Sequence, residues 1–94
     1  MDKLQKLEMM DKMIRELDDL KNSQTAVLKK LTQIEADNIT LGVGLLEKKL
    51  PDIHSRVDEG LTEVNGLQAA FSDERDKFVK DNKLDEVLPD SSVA

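Results

Sequence analysis

The chain has no cysteine, no tryptophan and no tyrosine, only two phenylalanines and two prolines, and no long apolar run. Without cysteine there is no disulfide framework, no thiolate nucleophile and no Cys-based zinc site, a composition that suits a reducing compartment. With two aromatic residues in all, a core must be aliphatic, drawn from Leu, Ile, Val and four Met. Narrow helix–helix seams can be filled from that inventory; a sandwich or barrel calls for another one. The longest mostly apolar stretch, Ile39 to Leu46, falls far short of the ~18 residues of a membrane span.

Positive charge is also lacking. The net charge is −6, most of it in the second half, and the lysines are interspersed among Asp and Glu. Such a surface has no electrostatic footprint for nucleic acid or for anionic membrane, so neither is expected as a partner. Met1-Asp2-Lys3-Leu4 alternates charge and lacks the apolar core of a signal peptide, so the expected location is cytoplasmic, with secretion by a route that needs no cleaved signal also compatible.

What the chain does have is helix-forming composition. Ala, Glu, Lys, Leu and Arg make up 41 of the 94 residues, close to the ~50% typical of coiled coils and long helices. A chain of this length buries a modest fraction of its surface, and self-association is the usual remedy.

Steps of four and three residues link Met10, Met13, Leu17, Leu20, Gln24, Val27, Leu31, Ile34, Asn38, Leu41 and Leu45. This is a heptad seam, which keeps one stripe of a helix against a partner helix. A second seam runs through Leu50, Ile53, Val57, Gly60, Val64, Leu67, Phe71, Glu74 and Phe78. Met10, Leu17, Gln24, Leu31, Asn38 and Leu45 take position a in the first, with Met13, Leu20, Val27, Ile34 and Leu41 at d. In the second, Leu50, Val57, Val64, Phe71 and Phe78 take a, with Ile53, Gly60, Leu67 and Glu74 at d.

Residues 2–41 contain neither Gly nor Pro and are expected to form one helix. Gly42 and Gly44 suit a helix end, and Pro51-Asp52 suits the first turn of the next helix. The expected domain, 1–81, is therefore helix 2–41, connection 42–50 and helix 51–81, followed by a flexible acidic tail at 82–94. The fold class is all-α, a long antiparallel two-helix hairpin of coiled-coil type, with a dimeric four-helix bundle as the expected assembly.

Charge favours one register for the hairpin. Position g meets g across antiparallel helices, and one alignment pairs Asp37 with Arg56, Lys30 with Glu63 and Glu16 with Lys77, while placing Glu35 within reach of His54. The expected intrachain seam is then Met13, Leu17, Leu20, Val27, Leu31, Ile34, Leu41, Leu50, Ile53, Val57, Val64, Leu67, Phe71 and Phe78. Leu4 and the e-position residues Leu7, Ile14, Leu28 and Leu61 are left over and form the candidate face for an oligomer or partner.

Chemistry finds no foothold. His54 is the only histidine, its neighbours Asp52, Asp58 and Glu35 do not make a metal site, and no serine has a base partner or a Gly-x-Ser-x-Gly context. No catalytic, cofactor or metal residue is nominated, and no small-molecule substrate is expected. Asn38-Ile39-Thr40 fits the glycosylation triplet but lies on the seam.

The expected function is a non-enzymatic helical scaffold or adaptor that acts through coiled-coil self-association, as a homodimer, or through a helix of another protein. The alternative is a small acidic chaperone or secreted helical hairpin of a bacterial secretion system, folding with a partner helix. Secreted hairpins of the WXG type share the length and a central Gly-bearing turn, but here no Trp precedes Gly44 and there is no Tyr.

Overall fold

The computed structural model describes residues 1–86 as two long antiparallel helices, α1 (Lys3–Leu41) and α2 (Gly44–Asp81), followed by a 3-10 turn at Leu84–Glu86. The hairpin measures 61 × 21 × 20 Å. The start of α1 is fixed locally. Asp2 has extended backbone, its Oδ1 accepts the Gln5 N–H at 2.8 Å, and the Gln5 Oε1 accepts the Asp2 N–H at 2.9 Å. This reciprocal capping box satisfies two of the donors that a helix start leaves unpaired.

The helix ends at Gly42, whose left-handed φ of 73° and N–H bond of 2.7 Å to the Asn38 carbonyl turn the chain back. Only Gly42 and Val43 connect the helices, so the expected connection of 42–50 shortens to two residues and α2 starts at Gly44, well ahead of Pro51. Pro51 lies inside the helix and has no N–H to offer the carbonyl of Glu47. Val43 provides no side-chain cap. Asn38 compensates from α1: its Oδ1 accepts the Val43 N–H at 3.0 Å and its Nδ2 donates to the Val43 carbonyl at 3.1 Å.

The open end is closed by the chain beyond α2. Asn82 Nδ2 donates to the Phe78 carbonyl at 2.9 Å, Lys83 takes a left-handed φ of 53°, and Leu84 is buried against Leu7 and Val79, with Phe78 packed alongside. Residues 82–86, expected to begin a flexible tail, are thus folded onto the hairpin. The remainder of the expected tail, 87–94, lies outside the described residues.

The helices pack through a stripe that differs from the expected seam. In α1 the inward stripe runs Leu7, Met10, Ile14, Leu17, Lys21, Gln24, Leu28, Leu31, Glu35 and Asn38. In α2 it runs Leu50, His54, Val57, Leu61, Val64, Gln68, Phe71, Arg75 and Phe78. These are positions a and e; Asp11, Thr25, Ser72 and Val79 at b, Gly60 at d and Leu46 near the turn are also buried or half-buried. Among the expected seam residues, Leu17, Leu31, Leu50, Val57, Val64, Phe71 and Phe78 lie inward, whereas Met13, Leu20, Val27, Ile34, Leu41, Ile53 and Leu67 are exposed. At 100° per residue, exchanging a/d for a/e rolls each helix by about 50°.

The roll has a physical cause. The d stripe of α2 contains Gly60 and Glu74, which bury little or bury charge, while the e stripes supply Leu7, Ile14, Leu28 and Leu61. The same roll brings Glu35 to His54 and leaves Arg75 free to reach Asp11.

Candidate functional site

The residues with a surface role are those the roll turns outward. Met13, Leu20, Val27, Ile34 and Leu41 recur every seven residues along α1, and Ile53 and Leu67 lie two such steps apart along α2, with Gly60 between them. Their exposure ranges from 37% at Ile34 to 69% at Leu41. Monomeric soluble proteins rarely leave long contiguous apolar patches uncovered, so a stripe running most of the hairpin's length is the candidate interaction surface. The residues expected to form the partner face are mostly on the inside: Leu7 is 2% exposed, and Ile14, Leu28 and Leu61 are half-buried. Leu4 alone remains outward. The two apolar stripes have exchanged places.

Charged residues flank the uncovered stripe. Glu16, Lys30 and Asp37 run along its α1 edge, and Lys49, Arg56, Glu63 and Lys77 along its α2 edge, all of them exposed. The expected intrachain pairs Asp37–Arg56, Lys30–Glu63 and Glu16–Lys77 do not occur among the described residues. The contacts found there include a Glu35–His54 hydrogen bond at 2.7 Å and the ion pairs Asp11–Arg75 at 2.8 Å and Arg75–Asp76 at 3.2 Å. Rolling the g positions outward moves each expected pair to opposite edges of the hairpin.

Glu35 and His54 do meet, as their positions in the heptad allow. Asp11 and Arg75 were not legible as partners, because Asp11 sits at b, outside any a/d seam. Hydrogen bonding to Asp11 raises the Arg75 guanidinium above its ordinary pKa, against a smaller opposing effect of burial.

Two polar residues punctuate the seam. Asn38 is buried and both halves of its amide are bonded to Val43, which removes it as a glycan acceptor. Gln24 lies against Gly60, its Nε2 being 3.5 Å from where a Cβ would stand, and its Oε1 is buried without a donor. A groove of about 540 Å³ beside the turn is lined on the other broad side of the hairpin by Thr32, Ile39, Leu50 and Pro51. Among the described residues no group of three His, Cys, Asp or Glu side chains could hold a metal ion, and no helix is long and apolar enough to cross a membrane.

No known protein family, curated protein or solved structure matches the chain. The uncovered stripe and its charged edges are thus the basis for any functional reading.

Proposed function

We propose that this chain is a non-enzymatic helical scaffold or adaptor that works in the cytoplasm through helix-mediated protein–protein association, with the uncovered d stripe as its working surface. One observation carries the reading: seven large apolar residues at heptad spacing stand exposed on a hairpin whose own seam is already filled. Heptad spacing is the pattern a partner helix requires. Isolated surface aliphatics need no explanation, but a periodic row of them does.

The test is the mass in solution, measured by light scattering behind a sizing column with small-angle scattering in line. The wild-type chain should elute as two or more associated copies with a longest dimension near the 61 Å of one hairpin. Replacing Leu20, Val27 and Ile34 together by Ser should return it to a monomer of unchanged helicity. A wild-type chain that is monomeric and fully helical at every concentration would overturn the reading. So would a triple variant that associates as strongly as the wild type. A chain that is unfolded alone and gains helix only with a partner would replace it by the chaperone or secreted-hairpin alternative.

A further inference from the structure

We propose that the uncovered stripe is occupied by a second copy of this chain, laid face to face with both turns at the same end; this rests on the association reading above and names its partner.

The geometry begins with the symmetry of an antiparallel pair. Two such helices are related by a near-twofold axis perpendicular to their common plane, so a position to one side of the seam in α1 has its equivalent on the same side in α2. The b positions bear this out. Thr32 and Ile39 of α1 line a single groove with Pro51 of α2, and on that side Asp11 meets Arg75 and Asp18 meets Gln68. The d positions of both helices therefore share the opposite broad face. The two-residue connection, together with the approaches of Gln24 to Gly60 and Asp18 to Gln68, sets Leu20 level with Leu67, Val27 with Gly60 and Ile34 with Ile53.

The edges of that face differ in sign. The α1 edge, with Glu16, Lys30 and Asp37, is net acidic, and the α2 edge, with Lys49, Arg56, Glu63 and Lys77, is net basic. Stacking two copies with their turns together lays α1 of each over α2 of the other, so acidic edge meets basic edge twice. Stacking them head to tail lays the basic edge over its own copy. Opposite charge at the rim steers association and suppresses the wrong arrangement. Asp37 comes level with the partner subunit's Lys49, and Val27 comes over the partner subunit's Gly60, the one place in the stripe without a side chain. The like-charged meeting, Lys30 with the partner subunit's Arg56, occurs twice by the same symmetry, as does the opposite-charged meeting of Asp37 with the partner subunit's Lys49.

The size of the face is sufficient. A face 61 Å long and 20 Å wide offers about 1,200 Å², more than the ~800 Å² per partner of a standard stable interface. The assembly is a four-helix bundle with a and d as its core apart from Glu74, the one charged d residue, e in the intrachain contact and g in the contact between copies.

Because the chain has no cysteine, single introduced thiols report proximity cleanly. Asp37→Cys and Lys49→Cys chains, made separately, are unfolded together in equal amounts, refolded and treated with a short thiol-reactive cross-linker. Glu16→Cys with Ala70→Cys tests the open end in the same way. The expected result is a wild-type mass of two chains and, for both pairs, several-fold more cross-linked dimer in the mixture than in either variant alone. A two-chain mass without mixture-specific cross-linking, or with cross-linking chiefly in Lys49→Cys alone, overturns this arrangement and leaves the association reading standing. A one-chain mass overturns both.

Discussion

Asn38, in the last turn of α1 and buried, holds Val43 by both of its backbone groups, accepting the N–H at 3.0 Å and donating to the carbonyl at 3.1 Å. The clamp replaces the side-chain cap that Val43 itself lacks and fixes the direction in which α2 leaves the turn. A polar residue at an a position thus acts on the turn beside it rather than on a facing helix.

Asn38→Leu should therefore destabilise the hairpin although it extends the apolar stripe. Leaving the Val43 groups without their partner costs about 1–3 kcal/mol. Urea unfolding followed by circular dichroism measures it. A variant as stable as the wild type would remove the clamp from the account of the turn.

The roll of the helices predicts opposite sensitivities at residues that the a/d pattern treats alike. Leu31 is 9% exposed and Val27 is 46% exposed. At dilutions where the chain is monomeric, Leu31→Ala should cost about 2–4 kcal/mol and Val27→Ala less than about 1 kcal/mol. Equal losses at low concentration would restore the a/d seam. A Val27→Ala loss that grows with concentration would place that residue in a contact between copies.

Leu84 lies beyond α2 yet is buried against Leu7 and Val79. Leu84→Ala should cost about 2–3 kcal/mol, and a chain ending at Lys83 should lose at least as much. Denaturation curves of the two decide it. Indifference to both changes would mean that the segment after α2 adds nothing to the fold.

Arg75 meets Asp11 through Nε at 2.8 Å, joining the start of α1 to the end of α2, with both side chains partly exposed. Solvent screening limits such a pair to about 0.2–1 kcal/mol. A double-mutant cycle with Asp11→Ala and Arg75→Ala should return a coupling of that size at low salt and nearly none at high salt. A salt-independent coupling would assign the effect to packing of the Arg75 stem instead.

Much of the local structure was legible in the residues themselves. Forty residues free of Gly and Pro, followed by Gly42 suited to a helix end, specify α1 within one residue of its observed ends. Pro51 misled in one respect: it suits a first helical turn so well that the residues before it read as loop. The helix instead runs through it, with one backbone donor fewer.

The sequence by itself determined that there are two amphipathic helices, that they fold back on each other at Gly42, and that apolar residues occupy a, d and e. It did not determine which two of those three stripes face inward. Stripes d and e flank a on either side, so a periodic pattern that holds all three is satisfied by either roll. The choice fell to groups far apart in the chain. The two-residue turn and the Asn38 clamp set the angle at one end, the packing of Leu7 under Val79 and Leu84 set it at the other, and Glu35–His54 and Asp11–Arg75 lie between. Each of those contacts exists only once the helices are side by side, which is why tertiary structure alone could turn e inward and leave d uncovered.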